Sequence, residues 1–213
     1  ADNKRNGNSA SIEVYNLSDT SLQKLQSEFL VCTLEVGYEN VKNLIKLISG
    51  NVVETRTVKN GVDTVTQIIM GEGYSDLNFN KITTALPPGK TREDVVNACL
   101  AGMPGVSRGA IKGTNLNAPL PFGYSITGTP KDSLNDFCEA FRYEWRVSND
   151  KLEVSDENGL VNTNKDVAPL IGVDSGLIDI PFYTSGESAK LKKDSTRRQG
   201  LQFKALLNAE VTP

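Results

Sequence analysis

Ser11-Ile12-Glu13-Val14-Tyr15-Asn16-Leu17-Ser18 opens the part of the chain that decides its fold. Ile12 and Val14 alternate with Glu13 at the period of two of a half-buried strand. Ser18 then has the side chain of an N-cap, for a short helix through Leu25 with Leu22 and Leu25 on one face. Beyond it Leu30, Cys32, Leu34 and Val36 alternate with Val31, Thr33 and Glu35 on a second strand. Leu44 to Val58 supplies one or two further strands. Lys59-Asn60-Gly61 is a hairpin signal, with Asn-Gly suited to a type I′ turn. The return runs from Val62 to Met70, where Val65, Ile68 and Ile69 give apolar bulk, and Gly71-Glu72-Gly73-Tyr74 ends the pattern. From Ser9 to Phe79 the order is therefore strand, short helix, strand, strand, strand.

A different texture begins at Leu86-Pro87-Pro88-Gly89. Thr91-Arg92-Glu93-Asp94 is a helix-opening capping pattern with a shorter acid in third place, and Val95, Ala98 and Cys99 follow on one helical face. A connection rich in Gly and Pro runs from Gly102 to Pro121, and Gly123 to Gly128 reads as a strand. Thr129-Pro130-Lys131-Asp132 repeats the opening with proline at the first helical position. Leu134, Phe137, Cys138 and Phe141 then fall at i, i+3, i+4 and i+7, a single apolar stripe. Trp145 and Val147 alternate on a strand, Ser148-Asn149-Asp150 turns, and Leu152 and Val154 alternate on its partner. Residues 90 to 156 thus read as a compact α+β unit.

The remainder carries less pattern. Asp174-Ser175-Gly176-Leu177-Ile178 and Ile180-Pro181-Phe182 read as a strand or strand edge. Ser185 to Gly200 is polar, as a mobile connection would be, and Gly200 to Asn208 is again strand-like. That stretch stops at Val211-Thr212-Pro213, and the first residue, Ala1, is not methionine. The expectation is a segment of a longer polypeptide.

With 213 residues, 38% hydrophobic content and a mean hydropathy of -0.31, the chain can bury a core and has the composition of an ordered globular protein. No apolar run reaches the roughly 20 residues that span a bilayer, and no apolar segment follows Lys4 and Arg5. The 23 basic and 26 acidic residues leave a net charge of -3, which disfavours a nucleic-acid partner. The densest basic stretch, Lys190 to Arg198, is broken by Asp194 and lies among Ser and Gly, as a solvated loop does. Cys32, Cys99 and Cys138 match no metal or redox spacing. They read as buried thiols acting as small hydrophobes, and their odd number favours a reducing compartment.

The chain contains no histidine. That removes Ser-His-Asp and Cys-His nucleophilic machinery, histidine base catalysis and histidine-ligated zinc together. Gly102-Met103-Pro104-Gly105 and Gly109 to Gly113 lack the Lys-Ser/Thr pair of a phosphate loop and read as loops. Asp132, Asp136 and Glu139 fall opposite the apolar stripe of the second helix, while Asp150, Glu153, Asp156 and Glu157 surround a turn. A carboxylate pair could serve glycoside hydrolysis, but these acids sit in polar sequence as solvated groups do. Asp150 and Asp156 also lack the dense ligand spacing of a calcium loop. Phe137, Phe141, Tyr143 and Trp145 could stack on sugar; core packing accounts for them more simply. No catalytic, cofactor or metal residue is assigned.

Four segments together resemble the hub (late control, D-type) proteins of contractile bacteriophage tails. They are Ser11 to Ser18 with its short helix, Leu34 to Tyr38, the strand entry Ser49-Gly50-Asn51-Val52, and Gly200 to Val211 with Leu206-Leu207-Asn208. The resemblance implies an α+β, mainly β fold: a split tail-tube-like β-barrel interrupted by an inserted α+β domain. The parts would be residues 1–85 and 161–213 for the barrel and 86–160 for the insert, in a chain truncated at both ends. It also implies a structural, non-enzymatic protein of the virion tail baseplate, assembled in the host cytoplasm. Its ring, usually a homotrimer, would join the tail tube to the central spike and hold other baseplate proteins, with no cofactor, nucleic acid or membrane involved. The competing expectations are a tail-associated cell-wall-degrading enzyme using the acids around Asp150 to Glu157, and a ring-building secretion-system module.

Overall fold

The computed structural model describes residues 7–37, 44–157, 171, 172, 174, 176–185 and 199–206. The chain divides into two compact units, residues 1–163 and 164–213.

The first unit begins with β1 (Ser9–Tyr15), α1 (Asp19–Leu25), β2 (Val31–Val36), β3 (Ile45–Asn60) and β4 (Asp63–Gly71), the predicted order. The strands form one antiparallel sheet in the order β1-β4-β3-β2. Exposure alternates residue by residue along β1 and β2, with Ile12, Val14, Cys32 and Leu34 on the more buried side. Ser18 caps α1 by accepting the Ser21 N–H. Leu44 to Val58 becomes one continuous strand. A register shift between Val52 and Glu54 keeps it continuous while disturbing its apolar rhythm, as an extra bulged residue does.

The hairpin turn lies one residue further on than its sequence predicts. Asn60 pairs with Asp63, so Gly61 and Val62 are the central pair, and Gly61 has φ of 64°. Val62 is not among the residues of positive φ, which gives the pattern of a II′ rather than a I′ turn. A type I′ turn centred on Asn60-Gly61 would pair Lys59 with Val62 instead of Thr64, a slip of two residues that gives each β4 side chain a new partner on the same face.

The α+β portion follows as α2 (Tyr74–Asn78), β5 (Ile82–Leu86), α3 (Arg92–Ala101), β6 (Ser107–Ile111), β7 (Tyr124–Gly128), α4 (Pro130–Phe141), β8 (Tyr143–Ser148) and β9 (Lys151–Asp156). β5 pairs antiparallel with β7, and a second sheet has the order β6-β9-β8 with β6 parallel to β9. The capping box at Thr91 and Asp94 is present, Thr129 caps α4, and Pro130 occupies its first turn. Leu134, Phe137 and Cys138 point from α4 into a core shared with Val95, Trp145 and Leu152. β6 lies inside the stretch expected to be only a connection, and α2 and β5 lie where no element was expected.

The two portions of this unit share a seam. Gly7 bridges Val147 in parallel, and the Asn8 N–H donates to the Val147 carbonyl at 3.2 Å. The Glu72 N–H donates to the Asn8 carbonyl at 2.9 Å. Nearby, the Ser75 N–H donates to Asn51 Oδ1 at 3.1 Å, tying α2 to β3.

In the second unit β10 (Phe182–Ser185) pairs antiparallel with β11 (Gln199–Gln202), and Leu177 bridges Ala205. The predicted polar connection is thus strand at both ends, at Ser185 and at Gln199 and Gly200. Its basic stretch Lys190 to Arg198, like Tyr38 and residues 207–213, lies outside the described residues. Ile180 and Phe182 are exposed apolar side chains in this unit. The fold is α+β, mainly β, and its described strands do not close into a barrel.

Candidate interaction surfaces

Four of the acids weighed as catalysts, Asp132, Asp150, Glu153 and Asp156, are held in structural contacts. Asp132 accepts from Thr129 Oγ1 at the α4 cap at 2.7 Å. Asp150 pairs with Lys46 at 3.4 Å, and Glu153 with Arg146 at 2.6 Å. Asp156 takes the Thr114 N–H at 2.8 Å and its hydroxyl at 2.8 Å, fixing the turn after β6. Asp136 and Glu139 are exposed on α4, and the Glu157 N–H donates to the Arg142 carbonyl. Phe137, Tyr143 and Trp145 are buried in the core, and the Trp145 indole N–H donates to Asn135 Oδ1 at 3.0 Å. The first glycine stretch is tied down as well, since the Gly105 N–H donates to Asp76 Oδ2 at 2.7 Å and Asn80 Nδ2 to the Gly102 carbonyl at 3.0 Å. Among the described residues no group of three or more acids or thiols could hold a metal, and no helix is long and apolar enough to cross a membrane.

One acid that the sequence did not single out is buried. Glu72, just past β4, is 2% exposed, and its carboxylate oxygens accept the Asn149 N–H at 3.1 and 3.2 Å. Burial pushes its pKa up from the ordinary glutamate value, and the nearby Asp150 charge adds to this. The Asn149 N–H, the Asn8 side chain and Lys46 act the other way. Its neighbours Gly71 and Gly73 made it look like part of a turn. Its burial comes from Asn8 and the β8–β9 hairpin, which are distant in sequence. It is a group of the seam rather than of a cleft.

An aromatic cluster lies at the surface beside the β3 bulge. The rings of Phe29 and Phe79 meet edge-on at 5.1 Å, and Tyr74 approaches Phe79 at 5.8 Å. Phe29 adopts φ of 55°, and its carbonyl accepts from Asn51 Nδ2 at 3.1 Å.

Among the described residues the four-stranded sheet leaves two backbone edges open. β2 pairs with β3 only as far as Asn51, with one more bond from the Val52 N–H to Leu30 at 2.8 Å. Beyond that, among the described residues, β3 pairs with β4 alone. The Asn16 N–H donates to the Thr64 carbonyl at 2.7 Å, so Thr64 turns its backbone toward β1. By the alternation of an antiparallel ladder, its partner Lys59 turns its N–H and C=O away from β4, as do Thr57 and Thr55. On β1 the same alternation leaves the backbone groups of Ser11, Glu13 and Tyr15 facing outward. Glu13, Gln67 and Arg56 lie in one cross-strand row, and both charged side chains are exposed.

No protein-family model and no curated protein sequence matches the chain. Among solved structures it is similar to the 43 kDa tail protein of prophage MuSo2 from Shewanella oneidensis, with 14% identity and a TM-score of 0.53. The likeness covers 84% of this chain and 53% of that one. A tail protein from Neisseria meningitidis MC58 gives 11% identity and a TM-score of 0.43, over 87% of this chain and 57% of that one. The chain therefore spans little more than half the length of these proteins, and what it shares with the MuSo2 protein is the fold.

Proposed function

We propose that this chain is a structural component of a phage-type tail, a baseplate hub protein that works through interfaces rather than catalysis. The observation that carries the reading is the fold shared with the MuSo2 tail protein over 84% of the chain. The open edges of the four-stranded sheet support it, because an unpaired edge is a template for another strand. On this reading the sheet is part of a tail-tube-like barrel, interrupted by the α+β portion and completed by further strands. Copies assemble into a ring, most simply a homotrimer, at the virion tail baseplate. The ring joins the tail tube to the central spike and contacts other baseplate proteins, after assembly in the host cytoplasm.

A native mass of the purified protein, by light scattering or native mass spectrometry, tests this reading. A discrete ring of three copies is expected. A protein that stays monomeric at every concentration, or one that clears cell-wall substrate, overturns it.

A further inference from the structure

Resting on that ring reading, we propose where and how neighbouring copies join. β1 of one copy adds, in parallel, to the open edge of β3 of the next, with Glu13 facing Arg56. Three observations converge on this contact.

The first is the direction of the strands. β1 and β3 are each antiparallel to β4, so they run the same way within one chain. Copies related by rotation about an axis along the strands keep that direction. A head-to-tail contact of β1 on β3 is then parallel, and it is heterologous, the kind that closes into a ring when the rotation allows.

The second is which backbone groups face outward. On β1 they belong to Ser11, Glu13 and Tyr15, whose side chains share a face with Arg56. On β3 they belong to Thr55 and Thr57, whose side chains lie on the opposite face, in rows with Ile68 and Thr66. An antiparallel addition puts two residues that exchange both hydrogen bonds on one face, so the second sheet would be turned over. In a parallel addition a residue bonds to the two neighbours of the residue it faces. Glu13 would bond through its backbone to Thr55 and Thr57 and face Arg56, with both sheets the same way up. Only the parallel arrangement preserves the faces, as a ring requires.

The third is side-chain complementarity. In this register Ser11 faces Glu54, Glu13 faces Arg56, and Tyr15 faces Val58. Tyr15 is 59% exposed and Val58 48%, so an apolar pair would form where each now meets solvent. Among the described residues neither Glu13 nor Arg56 has an ion-pair partner within the chain. Charges along an open edge can also serve to repel other strands, a role that needs no match between Glu13 and Arg56.

The test is a charge swap read as native mass, with melting curves to verify folding. Glu13→Arg or Arg56→Glu alone should weaken association at least tenfold, and the double variant should restore it. Thr57→Pro removes an N–H that β4 does not use, so it should leave the monomer folded and still abolish the ring. A wild-type protein that is monomeric overturns both the ring reading and this contact. A wild-type ring that survives the single variants and Thr57→Pro, or a double variant that stays dissociated, overturns this contact alone.

Discussion

Glu72 reaches across the seam of the first unit to the backbone of Asn149, 3.1 Å away, so a glutamate with 2% exposure joins the end of β4 to the β8–β9 turn. Its raised pKa means that the neutral acid is more favoured in the folded protein than in the unfolded chain. The contribution to stability is present below the ordinary glutamate range and is lost as pH rises through the raised value. Glu72→Gln should therefore melt higher than wild type at pH 7.5. The difference should shrink as pH falls toward 4. A variant that melts lower at neutral pH would show that the charged bond to Asn149 outweighs the cost of burial.

Asp94 behaves in the opposite sense. Its carboxylate accepts the Thr91 N–H at 2.8 Å, and that bond holds its pKa below the ordinary aspartate value. Stability from this group is present above the ordinary aspartate range and is lost as pH falls through the lowered value. Thr91→Ala removes the hydroxyl that accepts the Asp94 N–H, and should cost about 1 kcal/mol in urea unfolding. Asp94→Asn should flatten the acid limb of the stability profile, and an unchanged acid limb would contradict the assignment.

The shifted hairpin turn has its own test. A side chain at Gly61 would meet nothing within 4 Å, so only the backbone resists substitution. Gly61→Ala should cost about 1–2 kcal/mol through its left-handed φ, and Gly61→Asn less. Equal melting of Gly61→Ala and wild type would place the positive φ elsewhere.

Thiol reactivity reports on the cores directly. Cys99 is buried and its pKa is pushed up to about 12, Cys138 is also buried, and Cys32 is half-buried on β2. At pH 8 an aromatic disulfide reagent should modify Cys32 alone in the folded protein and all three after denaturation. Rapid modification of Cys99 in the native state would contradict the packing of α3.

Elements that carry their own signal were legible in the sequence. Alternation placed β1, β2, β8 and β9, the four-residue stripe placed α4, and the capping residues placed the starts of α1, α3 and α4. Elements that depend on distant partners were not. β6 reads as Ser-Arg-Gly-Ala-Ile, and it becomes a strand because β9 offers a parallel partner. β5 buries only one face, through Ile82, against the α3 and α4 core. The bulge at Val53 broke the rhythm of β3, which is why one strand could be read as two. Glu72 showed no local sign of burial, since Asn8 and Asn149 come together only in the folded chain.

The bond from Asn8 to Val147 also bears on the order of folding. β1 is held at one end by that bond, and the residues between close a loop of more than half the chain. Closing such a loop costs entropy before any contact repays it, and pairings this distant slow folding. β1, which leaves the ribosome well before β8, is thus fixed at both ends only late in folding. Until then its outward backbone groups remain available to other chains.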